Sequence, residues 1–398
     1  MSKAASPAVE ERSAILSARQ KSKMTRSAHA YVRGSTTRFY EWLEQSERPS
    51  LPAGPPVWIC GDCHVGNLGP VADHKGRIAI QIRDLDQTVI GNPAHDLIRL
   101  ALSLASAARG SDLPGVTTAR ILEQLVDGYM GAMAPGPSPE ADRPDVVRDS
   151  LRQALKRSWR HLARERIEDP RPNIPLGKTF WALDSKERAA LEGLVRSDEV
   201  RGLATLLSSR DTEAPVELLD AAYWVKGCSS LGRLRYALLI AVGEGDGREL
   251  ALIDVKEAIK AAAPRAPQTR MPRDNAVRVV EGARRLSPYL GERMAAGRLL
   301  DRSVFVRELL PQDLKLRIEH LDADQAVKAA RFLAEVVGRA HARQMDDDSR
   351  ARWAGELQHN RSKSLDAPSW LWSSVVELLA IHEAAYLEHC RRYAAIAA

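Results

Sequence analysis

Two observations predict an α+β fold with a large helical lobe and a smaller strand-rich lobe. Apolar residues recur at helical spacing through the first two hundred positions and again towards the end, whereas from about Val216 short β-branched runs alternate with turn residues. The length of 398 residues agrees with this division, since a single domain holds roughly 150. With 44% hydrophobic and 28% charged residues, the composition is that of a globular chain with a real core, which excludes a disordered, collagenous or coiled-coil rod class.

In chain order, the first fifty residues predict two helices, with residues 31–43 amphipathic. Short runs at 57–60 and 78–82 read as strands, each ending in polar turn residues. A long helix begins near Ala94, after Gly91-Asn92-Pro93, with Leu97, Leu100, Ala101 and Leu104 on one face. Proline-rich breaks at 135–144 and 170–175 bracket a charged helical stretch. Strands follow at 221–225, 234–242 and 250–255, the last two joined by a glycine-rich turn at 243–247. A helix is expected at 275–286, strands at 303–309 and 314–318, and helices at 326–344 and 370–393.

The net charge of +6 favours phosphate-bearing partners. The aromatic residues make up 5% of the chain and are scattered, so no stacking platform for nucleic acid is visible, and the basic stretch 152–166 reads as a solvated helix face. No apolar run reaches the roughly 18 residues of a membrane span, and the polar start carries no apolar leader stretch, so a cytoplasmic protein is expected. Cys60, Cys63, Cys228 and Cys390 are too dispersed for a disulfide scaffold. Cys60-Gly61-Asp62-Cys63-His64 has the spacing of covalent haem attachment, but that chemistry needs an export signal, and a zinc site needs a second Cys/His pair.

The most informative stretch is Gly61-Asp62-Cys63-His64-Val65-Gly66-Asn67, followed after a hairpin by Asp84-Leu85-Asp86. A carboxylate at a strand end, an amide five residues on and a further carboxylate suit magnesium-dependent phosphoryl transfer: one acid takes the substrate hydroxyl proton, and hard oxygens hold the cation. Either piece alone is equally an ordinary turn or a solvated loop. Such a site also needs a glycine turn and a lysine to offset phosphate charge. Gly227-Cys228-Ser229-Ser230-Leu231-Gly232 falls between two expected strands, and Lys256 closes a third, with Glu281 or Glu257 as its ion-pair partner.

The first of these segments resembles the G-D-x-H-x-x-N catalytic loop of aminoglycoside phosphotransferases and choline kinases, relatives of protein kinases. The stretch Asp84-Leu85-Asp86 through Gly91-Asn92-Pro93-Ala94-His95-Asp96-Leu97 is similar to their metal-binding segment and the helix start after it. The resemblance implies Asp62 as catalytic base, Asn67 and Asp84 as metal ligands with Asp86 competing for that role, and Asp96 as an acid that steadies the loop. It implies Gly227, Ser229, Ser230, Gly232 and Lys256 around the nucleotide. Over nearly its full length the chain also resembles the bacterial domain-of-unknown-function 2252 family, through residues 23–34, Val255-Lys256-Glu257-Ala258 and Ala340-His341-Ala342-Arg343. Ser229 departs from that pattern, in which a glycine usually stands, and Arg33 and Arg343 read either as binders of a phosphate or acid or as structural ion pairs.

These resemblances imply a circularly permuted protein-kinase-like fold, because Asp62 and Asp84 precede Gly227 and Lys256. The strand-rich lobe, residues 211–319, is expected between helical parts 1–210 and 320–398, with the helix at 326–344 beside the catalytic loop. The expected activity is ATP- and Mg2+-dependent phosphotransfer to an unidentified hydroxyl-bearing small molecule or protein. The alternatives are an inactive nucleotide-binding regulator and nucleotidyl transfer on the same scaffold.

Overall fold

The computed structural model describes residues 6–45, 51–111, 113–134, 143–159, 173–228, 231–245, 248–316, 321–359 and 366–393. It is a mixed α+β protein with a helical part and a sheet-rich part. The chain opens with α1 (Val9–Met24), α2 (Ala28–Gly34) and α3 (Thr36–Glu44), three helices where the sequence predicts two. Ser27 and Ser35 make the divisions. The Ser27 hydroxyl accepts the Ala30 N–H and caps α2, while the Ser35 hydroxyl donates back to the Tyr31 carbonyl at 2.8 Å.

Two antiparallel pairs follow, formed by β1 (Val57–Ile59) with β4 (Val89–Gly91) and β2 (Leu68–Ala72) with β3 (Ile78–Ile82). Asn92 caps α4 (Pro93–Gly110), with proline in its first turn where the missing N–H costs nothing. Next come α5 (Gly115–Gly131) and α6 (Asp145–Lys156), which ends before Arg157. The expected basic face therefore stops short; Arg157 donates to the Pro311 carbonyl, and Arg160 and Arg164 lie outside the described residues.

The sheet-rich part holds β5 (Phe180–Trp181), α7 (Ser185–Val195), α8 (Asp198–Ala204), β6 (Val216–Trp224), β7 (Arg235–Val242), β8 (Glu249–Glu257), α9 (Asn275–Leu286), α10 (Pro288–Gly291), β9 (Met294–Leu299) and β10 (Arg302–Leu309). Its strands form one antiparallel sheet in the order β5-β6-β7-β8-β10-β9. The two-residue period of a strand gives the sheet two unlike faces. One has an apolar centre, where Leu238, Ile240, Ile253, Val255, Val304 and Val306 pack with residues of α7 and α8 and with Leu16 of α1, while Glu257 and Glu308 on the same face pair with Arg302 and Arg210. The other is apolar at one end, around Trp224, Leu239 and Leu252, and carries Arg235, Asp254, Lys256 and Arg307 near the helical part.

The expected strand at 314–318 is not formed over 314–316, and 317–318 lie outside the described residues. Asp313 is drawn aside instead, accepting from Arg293 at 3.0 Å, and the Leu314 carbonyl lies against Gly69. The chain ends with α11 (Ala323–Ala342), α12 (Asp347–His359) and α13 (Ser369–Tyr393). No helix among the described residues is long and apolar enough to cross a membrane.

The helical part depends on a close crossing of α5 and α11. A Cβ on Gly128 would stand 2.0 Å from the Arg331 carbonyl oxygen, and one on Gly338 would stand 2.7 Å from the Ala132 methyl. Although alanine gains about 1 kcal/mol of helix propensity, Gly128→Ala is expected to lower stability by about 1–3 kcal/mol through overpacking. Urea unfolding checks this, and an unchanged midpoint would mean that the two backbones do not meet there.

Candidate functional site

The loop after β1 is held from below by one buried carboxylate. Asp96, in the first turn of α4, accepts the Cys60 N–H at 2.7 Å and the Gly61 N–H at 2.9 Å. His341 of α11 meets the same carboxylate at 3.2 Å through Nε2, and its Nδ1 lies 2.8 Å from the Tyr129 hydroxyl, which accepts from Trp353 Nε1 at 3.2 Å. The Asp96 carboxylate is an acceptor, so it takes the Nε2–H of His341 beside the two backbone donors. The resemblance implies Asp96 as an acid that steadies this loop, and Asp96 makes these contacts to it. Gln344, just beyond α11, fastens the strand as well, accepting from Trp58 N–H at 2.8 Å and donating to its carbonyl at 3.0 Å.

Gly61 cannot be another residue. Its φ is 74°, and a Cβ there would stand 2.1 Å from the Gln87 carbonyl oxygen, so the loop lies directly on the segment carrying Asp84 and Asp86. Thr88 donates to the Ile59 carbonyl at 2.6 Å across the same contact. On this base, Asp62 Oδ1 pairs with Arg99 at 2.5 Å, while Oδ2 has no partner among the described residues. Asn67 donates its amide to the Asp62 carbonyl at 3.0 Å and leaves Oδ1 without a hydrogen bond; its own carbonyl accepts the Arg83 N–H at 2.7 Å. Asp62, Asn67 and the start of the aspartate segment are thus joined by backbone contacts.

Lys256 reaches this segment from the sheet. Its ammonium is 4% exposed, lies 3.3 Å from Asp84 and pairs with Asp86. The two acids differ. Asp84 has 47% of its side chain exposed; partial burial raises its carboxyl, but the Lys256 ammonium and Arg307 outweigh that and hold it well below the usual range. Asp86 is 15% exposed, and burial together with the Asp84 charge pushes its carboxyl up to about 6. Behind Lys256, Asp254 takes Arg235 at 2.6 Å and Arg307 at 3.0 Å, and Arg307 also donates to the Arg83 carbonyl at 3.0 Å.

Glu281 is not the partner of Lys256. It pairs with Arg284 in its own helix at 2.9 Å. The α9 residue turned to the aspartate segment is Arg278, which donates to the carbonyls of Asp86 and Thr88, while Gly282 brings the helix backbone against Thr88. Glu257, the other acid considered, pairs with Arg302 at 2.8 Å. Gly227 and Gly232 have φ of 102° and 96° in the β6–β7 connection, where Lys23 donates to the Gly227 carbonyl at 2.8 Å. Ser229 and Ser230 lie outside the described residues. Arg343 donates to the Leu286 carbonyl at 3.1 Å, away from these groups.

Among the described residues no three or more His, Cys, Asp or Glu side chains gather at a metal-binding spacing. Magnesium needs less: one or two carboxylates, with water and substrate phosphates filling the other positions. The open Asp84 carboxylate and the unengaged Asn67 Oδ1 suit such a shared site. Cys60 and Cys63 are buried against each other, and that contact together with burial pushes the Cys60 thiol well up.

Arg99, Tyr129 and the pair of arginines on Asp254 escape a sequence reading. Arg99 carries the one available signal, standing three residues after Asp96 and hence on the same helix face.

Fold and site together define a two-part α+β protein in which Lys256 of the sheet pairs with Asp84 and Asp86, and that segment is tied by backbone to the Asp62–Asn67 loop. Residues 13–392 match the family described as "Uncharacterized protein conserved in bacteria (DUF2252)", and the chain belongs to it. No curated protein and no solved structure matches the chain.

Removing the Asp96 carboxylate strands two buried N–H groups and the His341 donor. Asp96→Ala is expected to cost about 3 kcal/mol or more. Equilibrium unfolding measures this; a loss under ~1 kcal/mol, the size of one ordinary hydrogen bond, would contradict the clamp.

Proposed function

We propose that the chain is an ATP- and Mg2+-dependent phosphotransferase acting on a hydroxyl-bearing acceptor, with a circularly permuted protein-kinase-like arrangement. The observation that carries this reading is the Lys256 ammonium meeting Asp84 and Asp86 from the opposite part of the chain, beside the Asp62–Asn67 loop. Sequence order alone would leave these groups about 170 residues apart.

In this reading Asp62 presents Oδ2 to the acceptor hydroxyl while Arg99 fixes Oδ1 and thereby the plane of the carboxylate. The acceptor oxygen attacks the terminal phosphorus of the nucleotide, its proton passes to Asp62, and the bond to the bridging oxygen breaks to release the diphosphate. Asp84 and Asn67 hold magnesium, which neutralises phosphate charge when bound. Lys256 exchanges one of its carboxylate partners for phosphate oxygens, and Gly227 and Gly232 are the candidate turns beside them. A nucleotide-binding protein without turnover is the second reading, favoured by the commitment of one Asp62 oxygen to a buried arginine.

Asp62→Asn is expected to lower transfer or nucleotide hydrolysis by about 100-fold or more, the size of a general-base contribution, with Mg-ATP binding retained. Asp84→Asn should abolish the magnesium dependence of nucleotide binding with little change in stability, since that side chain is half open. Thermal shifts with and without Mg2+, beside a coupled ADP assay, read both. Full turnover in Asp62→Asn would remove the catalytic assignment, and magnesium-independent nucleotide binding by the parent protein would remove the metal site.

A further inference from the structure

Every carboxylate in the cleft has a cationic partner: Asp62 has Arg99, Asp84 and Asp86 have Lys256, and Asp254 has Arg235 and Arg307. Two cations are left over. Arg33 has no hydrogen bond and no ion pair among the described residues, and its Nε is buried. Its guanidinium lies on Gly66, where a Cβ would stand 2.9 Å from its Cζ, so it sits against the Val65–Asn67 turn of the catalytic loop. Lys315 likewise has no partner among the described residues; it is exposed, and the carbonyl of Leu314 just before it lies against Gly69, two residues past Asn67.

A third group faces the same place. His64 is 5% exposed, its imidazole has no hydrogen bond among the described residues, and its Nδ1 is buried. Arg33, Arg99 and Asp84 are among the charges that act on it. A buried guanidinium nitrogen and a buried imidazole nitrogen without protein partners each carry a desolvation cost that a ligand or an ordered water offsets, and here two such nitrogens belong to cationic or donor side chains at one turn. A planar guanidinium with a free edge, beside an ammonium, suits an oxyanion.

We propose that Arg33, His64 and Lys315 form an oxyanion subsite beside Asp62 that receives a phosphate or carboxylate group of the acceptor. The acceptor class is then an anionic hydroxyl compound. The assignment of this anion to the acceptor rests on the phosphotransferase reading; the subsite itself does not. Arg33 also explains Gly66: any side chain there would lift the guanidinium off the turn.

Titration of the protein with inorganic phosphate, followed by calorimetry in the absence of metal, tests the subsite. Binding should weaken at least tenfold in both Arg33→Gln and Lys315→Gln. Lys315 is exposed, so its variant keeps the fold even if the Arg33 variant does not. Phosphate should still bind when a non-hydrolysable ATP analogue and Mg2+ are saturating. Unchanged phosphate binding in Lys315→Gln and in a folded Arg33→Gln overturns the subsite, whatever nucleotides do. Displacement of phosphate by the analogue overturns the acceptor assignment, since the anion would then be the nucleotide's own. Phosphate binding that depends on Arg33 in a protein that binds no nucleotide upholds the subsite and removes the phosphotransferase reading instead.

Discussion

The Asp96 carboxylate is the constraint on which the site depends. It is fully buried, and its two oxygens take two successive backbone N–H groups of the loop after β1 and one imidazole N–H from α11. A carboxylate satisfied by three donors tolerates burial that an unpaired one would not. Because the donors belong to two elements far apart in sequence, the bond that shapes the loop also fixes where α11 lies. Tyr129 and Trp353 continue the chain of donors outward, so the loop geometry is set by a line of side chains that ends two helices away.

A second buried arrangement does comparable work from the other side. Lys256 and Asp254 occupy alternate positions of β8 and so share the face turned to the aspartate segment. Arg235 stands opposite Lys256 on β7, and Arg307 opposite Asp254 on β10. With both arginines on one carboxylate, the Asp254 carboxyl is held far below its ordinary range against the pull of burial. The lysine is left free to reach across. A buried cluster of this kind contributes more to orientation than to stability, because the cost of removing charges from water cancels much of their attraction.

How far the sequence discloses this depends on the range of the interaction. Local patterns disclose most elements: Asn92-Pro93 marks the start of α4, and the period of two in Ile78 to Ile82 marks β3. The motif spacing singles out Asp62, Asn67, Asp84 and Lys256, and the structure pairs Lys256 with Asp84 and ties Asn67 to Arg83 beside it. What fails is pairing. Glu281 has a plausible spacing from Lys256, yet which face of α9 meets the aspartate segment is decided by Gly282 and Arg278, and no local pattern reports that. The absent strand at 314–316 fails for a similar reason, since the Arg293–Asp313 pair takes the backbone out of the sheet. The partnerless state of Arg33 is likewise a property of three-dimensional neighbours.

The long reach of the Asp96–His341 contact has a consequence for how the protein is made. The two residues are 245 positions apart, and the strand before the loop is tied to Gln344, 286 positions away from Trp58. During synthesis the first part of the chain therefore leaves the ribosome long before its partner helix does. At roughly 5–20 residues per second that interval lasts on the order of ten seconds or more. Through it the Asp96 carboxylate lacks its His341 donor and the apolar face of α5 lacks its native cover, so the nascent chain presents sticky surface until α11 arrives. The clamp on the loop is therefore completed only once α11 has been made, and a chain truncated before α11 would leave the ribosome as a substrate for chaperones and proteases.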